Sequence, residues 1–186
     1  QASAEGPDAF LRKYDSTGEE IWTRQFGPSG NEWASSAAVD GAGNVYVAGW
    51  ANSALSGQAN SGADDAFLRK YDSAGKEVWT RQFGSSRADM AWSVAVDGAG
   101  NVYVAGYAGG DLPGQASAGG PDAFLRKYDS IGEELWTHQF GSSGEDTAWS
   151  VAVDGLSNAY VAGYAVGVLP GQSNSGGEDA FVVKNP

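Results

Sequence analysis

The eight residues DAFLRKYD recur letter for letter at 8–15, 65–72 and 122–129, and in altered form as DAFVVK at 179–184. The spacing is 57 residues each time, without drift. A fixed period of this size means one supersecondary unit copied in tandem, so the chain has to fold as stacked modules that bury their apolar faces against one another. A second stretch, DGAGNVYVAG, stands at 40–49 and 97–106 and relaxes to DGLSNAYVAG at 154–163. The segments after it, NSALSGQANSGAD, GGDLPGQASAGGP and VGVLPGQSNSGGE, vary in the manner of surface loops. The copies run 8–64, 65–121 and 122–178, with a partial fourth at 179–186, inside one repeat region covering 1–186. The opening Gln1-Ala2-Ser3 aligns with Gln58-Ala59-Asn60 and Gln115-Ala116-Ser117, so the chain reads as a truncation that starts in mid-repeat.

Each repeat holds four short runs of β-forming residues separated by turn signals, and apolar residues nowhere recur at helical spacing over three turns. The first is 93–96, with copies at 36 and 150, small and β-branched as suits an innermost strand. The second, 101–106, follows Asp97-Gly98-Ala99-Gly100, whose glycines suit a tight hairpin. The third (66–71) and fourth (77–83) form another hairpin across Asp72-Ser73-Ala74-Gly75. Phe67, Tyr71, Trp79 and Phe83 share one parity while Leu68 and Val78 take the other, so both faces of the sheet carry apolar surface and each sheet must be sandwiched. The expected fold is all-β, a β-propeller of four-stranded antiparallel blades with about three blades in the chain.

The string Asp-Ala-Phe-Leu-x-Lys-Tyr-Asp, then Gly-x-x-x-Trp, then Gln-Phe-Gly, then Val-Asp-Gly-x-Gly-Asn-Val-Tyr-Val-x-Gly resembles the bacterial β-propeller repeats known as SBBP repeats. The resemblance covers essentially the whole chain. It implies a propeller in secreted or cell-surface bacterial proteins, without a common activity or family-wide catalytic residues. The hairpin 14–22 is also similar to the tryptophan-docking turn of quinoprotein propellers, with the Asp-to-Gly spacing one residue shorter. From the turn chemistry, Asp15, Asp72 and Asp129 are expected to hydrogen-bond turn amides, and Trp22, Trp79 and Trp136 to pack between blades.

Composition narrows the function classes. Acids outnumber bases by 23 to 11 for a net charge of −12, which argues against nucleic acid or an anionic membrane as partner. No apolar run approaches the roughly 18 residues that span a bilayer, so no membrane insertion is expected. With no cysteine and one histidine, His138, which aligns with Arg24 and Arg81, no metal site, cofactor or nucleophilic triad is expected, and the chain is not read as an enzyme. The loop 40–44 reads as a satisfied turn, not a calcium loop. Adjacent acids such as Asp64 and Asp65, or Glu145 and Asp146, point to opposite strand faces and make poor catalytic pairs.

The aromatic positions Trp50, Tyr107 and Tyr164 are equivalent, and Trp92 aligns with Trp149; these rings suit either interblade packing or stacking on a sugar or protein ligand. Trp33 aligns with Met90 and Thr147, so the first copy has moved its large ring two residues along the same face. Since three repeats are too few to close a ring, self-association through the terminal strands is expected, with the two surplus third strands, 8–15 and 179–184, in competition. Two functional readings follow: a structural, adhesive or self-assembling scaffold outside the bacterial cell, and a lectin-like module with repeated pockets at Trp50, Tyr107 and Tyr164.

Overall fold

The computed structural model describes residues 6–27, 30–174 and 176–185; the opening Gln1-Ala2-Ser3 lies outside them. Among the described residues there are strands and no helix. Strands β1 (Ala9–Tyr14) and β2 (Glu20–Phe26) form a two-stranded hairpin. The first complete sheet is β3 (Glu32–Val39), β4 (Val45–Ala51), β5 (Asp65–Tyr71) and β6 (Glu77–Phe83), in that spatial order. The second repeats it with β7 (Asp89–Val96), β8 (Val102–Ala108), β9 (Asp122–Tyr128) and β10 (Glu134–Phe140). The last has three strands, β11 (Asp146–Val153), β12 (Ala159–Ala165) and β13 (Asp179–Asn185). Among the described residues there are thus two four-stranded sheets, one three-stranded sheet and one hairpin, and the ring is not closed.

All pairings are antiparallel, and the hairpins owe their geometry to local chemistry. Asp40 Oδ1 accepts the amides of Ala42 and Asn44, while Oδ2 accepts Asn44 Nδ2 and the Tyr46 hydroxyl. The same brace recurs at Asp97 and Asp154. These carboxylates are satisfied by donors from their own turn.

The innermost strands begin earlier than the sequence pattern showed, because a β-bulge divides them. Register shifts between Ala34 and Ser36, Ala91 and Ser93, and Ala148 and Ser150, leaving Ser35, Trp92 and Trp149 as the extra residues. The alternation breaks there, so the amino-terminal half reads as loop. Opposite each bulge stands a glycine, Gly49, Gly106 or Gly163, where a Cβ would drive into the carbonyl oxygen of Trp33, Met90 or Thr147.

Apolar side chains form one cluster per junction between sheets. Trp22 and Phe26 of β2 pack on Val45, Val47, Phe67 and Tyr71; Tyr46, Leu68 and Phe83 meet Val102, Phe124 and Tyr128; Tyr103 and Leu125 meet Val161 and Phe181. The segments that vary between copies are not wholly surface loops. Leu55 and Leu112 are buried, and each donates its amide to Gln82 or Gln139, whose own amide donates to Gln58 or Gln115. The third segment has the same leucine and glutamine, Leu169 and Gln172, but there Gln172 is exposed and the third sheet has no fourth strand to receive them.

Candidate functional site

Since the sheets meet face to face, the chemistry of the chain lies at three kinds of contact between them. The outermost is built on the third-to-fourth-strand turn. Asp15 Oδ1 accepts the amides of Thr17 and Glu19, and Asp72 and Asp129 hold their turns in the same way. The braced turn puts Gly75 and Gly132 at positive φ (77° and 85°), directly under the indoles of Trp22 and Trp79, 2.8 and 2.9 Å from where a Cβ would stand. Only glycine satisfies both the backbone and the close approach. The preceding sheet then reaches across: Lys13 and Lys70 donate to the carbonyls of Ser73 and Ser130 at 3.1 and 2.9 Å, and Arg81 donates to Gly132 at 2.7 Å. Trp22 Nε1 joins Lys13 on the Ser73 carbonyl. Trp136 lies against Tyr103 and the exposed ring of His138.

A second contact was not legible as a site in the sequence. Asp65 and Asp89 are buried and both face the Cα of Gly84; Asp122 and Asp146 face Gly141, and Glu32 with Asp8 faces Gly27. Asp89 accepts the amide and hydroxyl of Ser85 and the amide of Gly109, and Asp146 accepts the amide and hydroxyl of Ser142. One oxygen in each junction, on Glu32, Asp65 and Asp122, is buried without a hydrogen-bond partner. The available signal was an acid at 32, 89 and 146, in step with the acids at 8, 65 and 122. Among the described residues no group of three or more acids, histidines or cysteines is placed to hold a metal ion.

Burial pushes the Asp89 carboxyl up to about 6, against the lowering effect of its Ser85 and Gly109 donors, and raises Asp65, Asp146 and Glu32 in the same direction. In the opposite sense, the Asn158 side chain holds Asp154 down at about 2, and at Asp40 and Asp97 turn hydrogen bonds overcome the effect of burial. A raised acid binds its proton more tightly folded than unfolded, so its contribution to stability falls as pH rises through the interval between the two values. Asp89 alone accounts for at most about 3 kcal/mol of such a fall. The lowered acids lose their contribution only as pH drops below the ordinary carboxylate range. Unfolding free energy from urea titrations is therefore expected to be larger near about pH 5 than near about pH 7.5, and Asp89→Asn to flatten that slope.

The third contact is aromatic and sits on the innermost strands. Trp33 and Trp50 are cross-strand partners with nearly parallel rings, 6.3 Å between centroids. In the third sheet Trp149, at the bulge, lies 6.4 Å from Tyr164 and 5.1 Å from Trp92 of the second sheet. Trp50, Tyr107 and Tyr164 are half-buried, each opposite the position of Trp33, Met90 or Thr147. The more open rings are Trp33, at 56%, and Trp149, at 52% exposure. Tyr164 donates its hydroxyl to Glu145 at 2.6 Å. Innermost strands also bond directly between sheets, Val94 and Val151 donating their amides to the hydroxyls of Ser36 and Ser93.

At either end these contacts stop. Phe10 and Tyr14 of β1 are 65% and 54% exposed, whereas their equivalents Phe67 and Tyr71 are 0% and 3%. On the far face Val182 is 75% exposed where Leu68 and Leu125 are closed, and Tyr160 is 36% exposed where Tyr46 is 0%. A cavity of about 780 Å³ lies beside β13, lined in part by Phe140, Leu169, Phe181 and Val183.

The repeat unit so defined matches the family of β-propeller repeats designated SBBP at three tandem positions, residues 21–55, 78–113 and 135–170. The chain belongs to that family. Each matched segment begins in the outer strand of one sheet and ends past the second strand of the next, so the family's unit carries the junction within it. The chain is 34% identical over 139 residues to the regulatory protein FlaEY of Caulobacter vibrioides, covering 69% of this chain and 15% of that protein. It is 25% identical over 181 residues to the uncharacterized WD repeat-containing protein L264 of Acanthamoeba polyphaga mimivirus, covering 82% of this chain and 13% of that protein. It thus spans a small part of the curated relatives it matches. A crystal structure of a protein of unknown function from Bacteroides caccae superposes with a TM-score of 0.53 at 12% identity, over 94% of this chain and 58% of that one; this likeness concerns the fold alone.

Proposed function

We propose that this chain is a non-catalytic β-propeller scaffold that completes itself by sheet-to-sheet contact with further copies, in a structural, adhesive or assembly role outside the bacterial cell. The observation that carries the reading is the pair of open ends. Phe10 and Tyr14 stand exposed at one end and Val182 and Tyr160 at the other, although each occupies a position that the interior of the same chain buries. Exposed apolar faces built like interior ones favour association. Absolute mass by light scattering across a dilution series is expected to show a discrete assembly, and Phe10→Asp to return it to monomer. A chain that stays monomeric at every concentration contradicts the reading.

The open rings of Trp33 and Trp149 support a second reading, a surface on which sugar rings or a protein partner stack. Glycan-array binding that disappears in Trp33→Ala and Trp149→Ala, with the assembly intact, would favour it. On this reading Trp33 and Trp149 join Trp50, Tyr107 and Tyr164 as the rings to test.

A further inference from the structure

The interior junctions specify what each open end lacks, and the third sheet already holds a competitor for that place. Lys127 is the equivalent of Lys13 and Lys70, which donate to the turn carbonyls of Ser73 and Ser130. It lies over the Tyr103 ring, 4.7 Å from its centroid, as Lys70 lies over Tyr46 at 5.1 Å, but the sheet that follows it offers no third-to-fourth-strand turn among the described residues. Trp136 is the equivalent of Trp22 and Trp79, which rest on Gly75 and Gly132. The turn that both await follows a third strand, and the chain carries one such turn not yet covered by a preceding sheet, 15–19 in the β1–β2 hairpin, with Ser16 at the Ser73 position and Gly18 at the Gly75 position.

Conversely, β1 presents Phe10 and Tyr14, and in the interior those positions are met by the outer-strand Phe and Trp of the preceding sheet. Phe26 meets Phe67 at 5.6 Å, Phe83 meets Phe124 at 5.6 Å, and Trp22 meets Tyr71 at 6.4 Å. Phe140 and Trp136 are the corresponding residues of β10, and Phe140 now meets Phe181 of β13.

β13 is the poorer of the two third strands. In β1, β5 and β9 an arginine pairs with an outer-strand glutamate, as Arg12 with Glu20, Arg69 with Glu77 and Arg126 with Glu134, at 3.3 to 3.5 Å. Arg69 and Arg126 also lie over Phe26 and Phe83 of the preceding sheet, at 4.3 and 4.0 Å. β13 has Val183 in place of that arginine and Asn185 in place of the tyrosine. The β1–β2 hairpin brings the arginine, the tyrosine and a fourth strand together.

We propose that the β1–β2 hairpin of a second copy displaces β13 and pairs with β12, and that β13 is a plug that closes the sheet until the second copy arrives. This rests on the assembly reading above and names its partner and its switch. In the exchanged sheet Phe10 of the second copy stands opposite Gly163 and Leu11 opposite Ala162, the register that β13 now holds with Phe181 and Val182. Each copy then contributes two complete sheets and half of two shared ones, so a reciprocal pair makes six four-stranded blades with both β13 strands outside.

The test uses the absence of native cysteine. In A162C/V182C a disulfide holds β13 on β12. The unmodified chain and the reduced variant are expected to associate, and the oxidised variant to run as a monomer by light scattering. In L11C/A162C, oxidation is expected to give a covalent dimer on a non-reducing gel. An oxidised A162C/V182C that associates like the unmodified chain overturns the exchange and leaves the assembly reading standing, as does an associating L11C/A162C that forms no covalent dimer. An unmodified chain that is monomeric at all concentrations overturns both.

Discussion

Gly106→Ala is expected to destabilise the chain by about 3 kcal/mol, the upper end of what an overpacked site costs. Gly106 pairs with Ala91 beside the bulge that holds Trp92. A methyl group would enter the Met90 carbonyl oxygen and press on the Phe124 ring from the same sheet. Neither obstacle can rotate away, since one is backbone and the other is a fully buried ring at 0% exposure. Relief requires undoing the bulge, which would shift the first half of β7 by one residue and turn its side chains to the opposite face. Gly98→Ala is the control: nothing lies within 4 Å of a Cβ there, so its effect should stay within about 0.5 kcal/mol. Denaturant midpoints measured at constant m-value decide between them. Equal effects at the two glycines would mean that the bulge is not rigid.

Phe83→Ala is expected to cost about 3–5 kcal/mol. The ring meets Phe124 edge-on at 5.6 Å and Tyr128 at 6.2 Å, and it lies over the guanidinium of Arg126 at 4.0 Å. Arg126 is buried, with Nε and Nη2 unpartnered, and its ion pair to Glu134 spans 3.3 Å. Truncating Phe83 therefore removes an apolar contact and uncovers a charge whose other partners are few. Phe140→Ala provides an internal comparison, because Phe140 faces Phe181 and finds Val183 where Phe83 finds Arg126. Its loss is expected to be smaller, and in the proposed exchanged assembly, where Phe140 covers Phe10 and Arg12 of a second copy, the difference should shrink. Thermal or urea unfolding of both variants above and below the association concentration tests this ordering.

Much of the fold was readable because the repeat compares the chain with itself. Four β-runs per period, two hairpins and two apolar faces lead to a stack of four-stranded sheets, and sheet order β3-β4-β5-β6 follows the chain. The turn chemistry was equally open to reading: Asp15, Asp72 and Asp129 accept turn amides because an Asp side chain reaches the backbone N–H two residues on, and the glycine three residues on takes the positive φ of the turn. The bulge was hidden, since an extra residue breaks the two-residue alternation by which strands are recognised. The strand residues 89–92 ahead of Ser93 therefore did not read as strand. The segments between the second and third strands looked variable throughout because their loop-like composition masked Leu55, Leu112 and the glutamines that anchor them.

The acid junctions show a different limit. Asp65 and Asp89 lie in separate sheets, and no local pattern shows that both carboxylates will be buried against one glycine. Aromatic rings pose the same problem: Trp33 and Trp149 are chemically like Trp22, and only the packing of neighbouring strands leaves the first two half open and closes the third.

Strand type and turn chemistry are properties of residues close together in the chain, and periodicity and net charge need no contact to be counted, so for these the amino-acid order was sufficient. Burial of a charge, openness of a ring and the surplus of one third strand depend on which sheet lies against which. Those are set by contacts between residues of different sheets, so they became visible only when the sheets were stacked.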